Sequence, residues 1–450
     1  MCALTVTAIL VPQAMAYSVL AEMPPEWGLY TAMAPLLVYM CFGSSRHLAV
    51  GPFAVISLLN ASAIQAFCHA HHGGCLHHRA TISVTHSFVT GAIMVLMSVL
   101  KLGCIAQFLS DPVLSGFCTA CSILIPMTQL KYVFGIKVAG STLIPAVISI
   151  SEQYERWNLA CCGVFVSSLA LIYGVQRLNK KVECLKKRPI PAELLGCVVA
   201  TVCSAVFSLH ESGVQLLGFV PTGLPSLTLP SFETSVLTLI LPHAMLTAVM
   251  IYATSLSVSK VFAKMFGYEI DGNQELMAFG MLNLAGSFTS CFPAAASLSR
   301  TAIVGDSGAA TPIHGAFTVL LLCIVVNIPG QPLYNLPKSC LAAIVVLAFK
   351  SLLIGGVVEA SRMLKQSEFV DLFFWLLAFL MTLFAGVVPG LGTSVSVYVL
   401  FCGFEAVRDY VQNRAAQPVE RTASLRRKSS LTMDGERELR STLTANLEGL

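Results

Sequence analysis

Charge is what this sequence has least of. Asp, Glu, Lys and Arg make up only 11% of its 450 residues, against roughly a quarter in an ordinary soluble domain. A globule of that size cannot cover a water-facing surface with so few charges, which excludes a soluble enzyme, cytosolic or secreted. Disorder is excluded too, because it needs low hydrophobicity and high charge, whereas 56% of this chain is apolar and its mean hydropathy is +0.77. An excess of positive charge is also missing: the net charge is +4, with no basic stripe of the kind that binds nucleic acid. The first twenty residues lack a charged leader region and carry Pro12 in their middle, so they read as a broken first span rather than a signal peptide. No HExxH and no P-loop is present, and no cofactor or metal is expected.

What is there is apolar sequence in long runs. At about 20 apolar residues per span, the length allows roughly a dozen spans. Most of the 16 Cys lie inside these runs, as do Cys118, Cys121, Cys161, Cys162, Cys197 and Cys203, where a free thiol acts as a small hydrophobe. Segments delimited by turn residues fall near 2–20, 28–43, 51–66, 83–100, 112–129, 159–178, 191–209, 236–255, 276–290, 297–305, 312–328, 338–356, 368–386 and 391–407. The segments after Gly51-Pro52-Phe53 and at Ser297-Leu-Ser299-Arg300-Thr301 are too short, too rich in small residues or too polar to cross a bilayer as plain helices.

Lys and Arg set the orientation. The 177–188 loop carries Arg177, Lys180, Lys181, Lys186, Lys187 and Arg188, while 20–27, 210–237 and 386–392 carry no Lys or Arg. Both termini are therefore expected in the cytoplasm, with Lys131 and Lys137 as exceptions on the outer side. Trp27 and Trp157 stand at span ends, where amphipathic aromatics collect.

The segments divide into halves of seven, 1–209 and 236–408, with 210–235 as an extracellular linker and 409–450 as a cytoplasmic tail. Seven is odd, so the halves enter from opposite sides as inverted repeats, and in each the third segment is the unusual one. Matching interrupted segments in two halves point to a transporter site. A half-helix that begins at the midplane leaves its first N–H groups open, with about half a positive charge there, so two such ends facing each other form an anion site without a metal. Arg300 adds a cation at the second end, where membrane depth makes an unpaired charge costly. Asp306 and backbone carbonyls are its alternative structural partners.

These residues also resemble a known family. Val11-Pro12-Gln13-Ala14-Met15-Ala16-Tyr17, Phe42-Gly43-Ser-Ser-Arg46-His47, Gly51-Pro52-Phe53-Ala54, Gln129-Leu130-Lys131-Tyr132, Asp271-Gly272-Asn273-Gln274-Glu275, Ser297-Leu298-Ser299-Arg300 and Leu336-Pro337-Lys338 are similar, in order, to the sulfate permease (SulP) family. The resemblance implies an all-α polytopic membrane protein of fourteen segments in a seven-plus-seven inverted repeat, with a core domain moving against a gate domain. It implies a secondary transporter of small anions (sulfate, chloride, bicarbonate or oxalate class) working by exchange with alternating access. The rivals are an anion channel or voltage-responsive motor on the same fold and an inactive truncated form, because the family's cytoplasmic STAS domain is expected to be missing. The substrate site it implies comprises Gln13, Tyr17, Phe53, Ser297, Ser299 and Arg300. The partners are small inorganic or organic anions, membrane lipid and a second copy of the chain, at the plasma membrane. Thr254 stands where proton-coupled members resemble a Glu pattern, which favours exchange or uncoupled conduction. Val304-Gly305-Asp306 departs from the family's usual sequence after the half-helix, and puts the Asp306–Arg300 pairing in doubt.

Other motifs weigh less. The loop from Phe67 to Arg79 holds half of the ten His, with Cys68 and Cys75; metal binding, a Cys68–Cys75 disulfide and a plain polar loop are its three readings. Gly305-Asp306-Ser307-Gly308 spells a serine-protease turn without partners for it. The Asn60 sequon lies inside an apolar run, out of reach of glycosylation. Arg426-Arg427-Lys428-Ser429-Ser430 fits a topogenic charge cluster, a kinase site or a lipid-bound basic tail.

Overall fold

A computed structural model of the chain describes residues 2–70, 75–103, 111–136, 138, 142–183, 185, 190–309, 311–327, 331–405, 407, 408 and 410. Its helices are α1 (Cys2–Leu20), α2 (Pro25–Phe42), α3 (Ala54–Ala70), α4 (Cys75–Val99), α5 (Asp111–Phe134), α6 (Leu143–Glu152), α7 (Leu159–Lys181) and α8 (Ala192–Val206). They continue with α9 (Thr234–Phe266), α10 (Gly272–Ser287), α11 (Leu298–Asp306), α12 (His314–Asn327), α13 (Lys338–Lys365), α14 (Phe369–Ala385) and α15 (Val387–Glu405). Two short strands, β1 (Val50–Gly51) and β2 (Ala295–Ala296), complete it. Among the described residues, seven of the helices are long and apolar enough to cross a membrane.

Each expected segment has a helix, and α6 and a four-residue helix at Gln331–Tyr334 are extra. The ten residues of α6 span about 15 Å, half of a hydrocarbon core, and they expose Ile144, Val147 and Ile148. Side-chain capping marks the starts that the sequence could show. Asn158 Oδ1 accepts from the amides of Ala160 and Cys161 at the head of α7, and Asp271 Oδ1 from those of Asn273 and Gln274 at the head of α10, satisfying amides a helix otherwise leaves open. Gly267 ends α9 in the left-handed region, φ 70°, which glycine enters without a Cβ clash.

Within residues 1–395 the helices pack as two bodies. One joins α1–α4 to α9–α12, with α4 on α9 and α10 and α2 on α10 and α12; the other joins α5, α7 and α8 to α13 and α14. Lipid tails offer no hydrophobic gain between helices, so close backbone approach matters. α4 and α10 meet where a Cβ on Gly91 would lie 2.6 Å from the Leu284 amide, and one on Gly280 would lie 2.8 Å from the Val95 amide. The two bodies touch mainly through α1, which lies against α13 and α8. The 210–235 segment runs extended. Its amides at Leu217 and Gly218 donate to the carbonyls of Leu336 and Tyr334, and that of Thr228 donates to Phe288 O. The described residues from 396 onward belong to a separate unit and carry an Arg408–Glu405 ion pair at 3.4 Å.

Several expectations are corrected. α11 is a half-helix of nine residues, but α3 runs for 17, longer than a half-span; what sets it apart is its start inside the protein, after β1. Trp27 is not an interface anchor but is buried in a cluster with Met23, Ile64, Phe67 and Phe292. Trp157 is 38% exposed and stacks on Phe134 at 4.1 Å. Asn60 is fully buried, its amide donating to Ala21 O and Ser83 Oγ, which is why its sequon is out of reach. Cys68 is disulfide-bonded, while Cys118 and Cys121 are free thiols. The Cys75 side chain, His71, His72, Lys137, Lys186, Lys187, Arg188 and the 411–450 tail with Arg426 to Ser430 lie outside the described residues.

Candidate functional site

The two unusual segments meet. β1 and β2 pair antiparallel, Val50 with Ala296 and Gly51 with Ala295, so the N-termini of α3 and α11 arrive side by side from opposite halves of the chain. The pairing is extended by Ser297 N donating to Ala49 O at 3.1 Å and Ala49 N donating to Thr301 Oγ1 at 3.1 Å. Ser255 on α9 accepts from the Ala296 amide. A two-residue strand pair is weak alone, so these side-chain bonds hold it in register.

A distant carboxylate holds the approach to β1. Glu275, fully buried on α10, accepts from Ser44 N (2.8 Å), Ser44 Oγ (2.7 Å), Ser45 N (3.3 Å), Tyr39 Oη (3.0 Å) and Ser259 Oγ (3.3 Å). It thereby ties the turn after α2 to α9 and α10. The Asp271–Glu275 motif served the sequence reading only as a mark of resemblance; its capping Asp and anchoring Glu give it a physical job.

A cavity of about 800 Å³ opens in front of the two N-termini. Gln13, Tyr17, Phe53, Ser297 and Ser299 all line it. Gln13 and Tyr17 are buried on α1 and Ser299 is exposed to it. Ser297 precedes α11 without capping it, its Oγ lying instead 3.2 Å from Ser299 Oγ. The first amides of α11 are therefore free of a side-chain cap and carry the positive end of its dipole. Gln13 Oε1 is buried without a hydrogen-bond partner.

Arg300 is placed differently from the rest. It is 1% exposed and is not part of the cavity wall. Its guanidinium lies under β1, where a Cβ on Gly51 would be 3.5 Å from Nη2. Nε, Nη1 and Nη2 have no hydrogen-bond partner among the described residues. Pairing with Asp306 is absent, because that residue is exposed at the far end of α11. A buried guanidinium without a carboxylate is strongly disfavoured.

The mouth of the cavity is cationic, which the sequence showed only as topogenic charge. Arg177, Lys180, Lys181 and Lys350 line it, with Glu193 as the acid in the wall. Arg177 Nε donates to Tyr173 Oη at 2.9 Å, and Lys350 Nζ lies 4.4 Å from the centre of the same ring. Clefts lined by one sign of charge concentrate the opposite ion. Thr254 also lines the cavity, its hydroxyl donating to Met250 O at 2.7 Å. No group of three or more metal-type ligands occurs among the described residues.

Comparison with known proteins agrees with this geometry. Over 410 residues the chain is 31% identical to prestin of Tursiops truncatus, covering 86% of this chain and 54% of that protein. It is 32% identical over 417 residues to the chloroplastic sulfate transporter 4.1 of Arabidopsis thaliana, covering 91% and 59%. The chain thus spans about half the length of these relatives. The structure of murine solute carrier 26 family member A9, an anion transporter in its inward-facing state, superposes with a TM-score of 0.82 at 26% identity, over 90% of this chain and 68% of that one. Residues 1–388 match the sulfate permease family, whose members are membrane transporters and not enzymes, and the chain is a multi-pass integral membrane protein belonging to that family.

Proposed function

We propose that the protein is a secondary transporter of small anions, of the sulfate, chloride, bicarbonate or oxalate class, working by exchange. The observation that carries this reading is the convergence of the N-termini of α3 and α11 on one cavity with a cationic mouth. The open amides of α3 and α11 attract the anion, Ser299 and Gln13 supply hydrogen bonds, and Tyr17 and Phe53 wall the pocket. Arg300 acts from beneath β1 through its field, and an anion in front of it relieves the cost of its unpaired burial. Nothing covalent occurs.

Alternating access follows from the two bodies. The α1–α4 and α9–α12 body carries the anion at the N-termini of α3 and α11, and α5, α7, α8, α13 and α14 form the wall it moves against. The cavity opens beside Arg177 and Lys180, on the side the charge rule assigns to the cytoplasm, so this is the inward-open state, with both termini cytoplasmic. The repeat boundaries at 209 and 236, a homodimeric state and a plasma-membrane location belong to the same proposal. Thr254 in place of an acid supports exchange without proton coupling.

The test is uptake of radiolabelled sulfate and chloride into proteoliposomes with and without anion on the opposite side, alongside Arg300→Ala. Uptake that requires the opposing anion and is lost in the variant is expected. Equal uptake by wild type, variant and empty vesicles would sink the proposal, and currents that persist without opposing anion would replace exchange by conduction.

A further inference from the structure

A second cavity, of about 390 Å³, lies on the other face of the protein. It shares two helices with the central one but at their opposite ends. On α1 the central cavity touches Gln13 and Tyr17, and the second touches Val19 and the Glu22 that follows the helix. On α13 the central cavity begins at Ile344 and reaches Lys350, while the second touches Lys338, the first residue. At ~1.5 Å per residue, Lys338 and Lys350 stand about 18 Å apart along the helix.

Its polar wall is unusual for a chain this poor in charge. Arg79, Lys131 and Lys338 come from three separate segments, and Glu22 is the acid among them. Glu22 is already engaged: it accepts from Gln65 Nε2 at 2.6 Å and lies 3.8 Å from Arg79 Nη2. Lys131 and Lys338 have no ion pair among the described residues. Instead their ammoniums flank one aromatic ring, with Nζ at 5.1 Å and 5.8 Å from the centre of Tyr132. Arg79 Nε is buried with no hydrogen-bond partner. Three cations around one partly satisfied carboxylate leave an uncompensated positive charge at a part-buried cavity. A neighbouring cleft of about 280 Å³ shares Glu22 and Lys131 and is lined by Ser62, Gln65 and Thr128, so the charged pair stands between two polar spaces.

Lys131 is also, with Lys137, one of the two bases that depart from the orientation rule, standing on the face the rule assigns to the outside. Insertion gains nothing from it there. Like-charged Lys338 and Arg79 are held beside it by the fold, against their mutual repulsion. Lys338 is placed by its amide donating to Gln215 O, and Ser339 Oγ donates to Tyr132 O at 2.8 Å, which locks the two lysine-bearing helices together. A small anion is the ligand that turns this repulsion into attraction. A water takes up about 30 Å³ in the liquid, so the space admits an inorganic anion with part of its hydration shell.

We infer that Lys131, Lys338 and Arg79 form a second anion site, on the face opposite the basic mouth, which captures small inorganic anions before they reach the N-termini of α3 and α11. Glu22 competes with the anion for Arg79 and sets the affinity. The inference concerns binding and holds whether or not the central site performs exchange.

The test is equilibrium binding of radiolabelled sulfate to the purified full chain in lipid nanodiscs, without a gradient. Wild type is expected to bind in two components. Lys131→Gln with Lys338→Gln should weaken one of them about tenfold or more, by the loss of two nearby unit charges, and leave the other intact. Ser299→Ala should affect only the other component. Glu22→Gln should tighten the component that the lysine changes weaken, an opposite sign that misfolding cannot imitate, and Lys131→Arg with Lys338→Arg should retain it. A single binding component unaffected by the lysine changes overturns the inference, as does a Glu22→Gln variant that binds no tighter than wild type. Loss of uptake in proteoliposomes with both binding components intact would count against exchange and leave the second site standing.

Discussion

Glu275 offers the sharpest test of how the site is held, because one replacement removes its acceptors and the other keeps them without the charge. The carboxylate is fully buried, accepts five hydrogen bonds and has no cation among its partners. Replacing it with Ala strands the amides of Ser44 and Ser45, which cannot rotate away as hydroxyls can. Each buried unsatisfied donor costs about 1–3 kcal/mol, so Glu275→Ala should lose about 2–6 kcal/mol on the same basis. Removing a buried charge works the other way, since an ion without a counter-ion is expensive to bury. Glu275→Gln separates the two effects. Its oxygen can stay where Oε1 meets both amides, and its NH2 can donate to the Tyr39 and Ser259 hydroxyls once these turn to accept. The loss should then be below about 2 kcal/mol. The assay is thermal melting followed by size-exclusion of the detergent-solubilised protein, with anion uptake measured where each variant remains folded. The expected order of stability is wild type, Gln, Ala, and Ala should also impair uptake by loosening the turn that delivers β1. If Ala and Gln melt together, or if Gln is the worse of the two, the carboxylate is not the acceptor that positions this turn.

Two further outcomes follow from the cavity. Thr254→Glu should make uptake pH-dependent: burial near an anion path raises a carboxyl's pKa, so the charged form that repels the substrate gathers as pH rises, and uptake should fall with increasing pH in the variant but not in wild type. Replacing Arg177, Lys180 and Lys181 with Gln should raise the KM for anion presented at that mouth several-fold and flatten its dependence on ionic strength, as loss of electrostatic focusing requires; a KM unchanged at low salt would show that the mouth does not concentrate substrate.

Much of the site could be seen in the linear sequence for physical reasons. Gln13, Ser297 and Ser299 stand out because they are polar within apolar runs, whereas Tyr17 and Phe53 are marked only by the family resemblance. The short β2–α11 segment was visible because nine residues of mixed polarity do not make a span. Less visible was α6, whose apolar residues are too few to show as a segment. The bases of the 177–181 stretch were legible as charge but not as the lining of a cavity, since that depends on α13 bringing Lys350 beside them.

By itself the sequence determined the solvent of this protein, its segment order and the two places where a helix begins inside. These follow from composition and periodicity along the chain, which short-range physics reads directly. Only the tertiary structure decided which groups meet. Glu275 serves a turn 231 residues away, Arg300 turns beneath β1 instead of facing the cavity, and Arg79, Lys131 and Lys338 line one cavity with only the two lysines at the Tyr132 ring. Each of those outcomes depends on distances between segments remote in sequence, which packing sets and local pattern does not record.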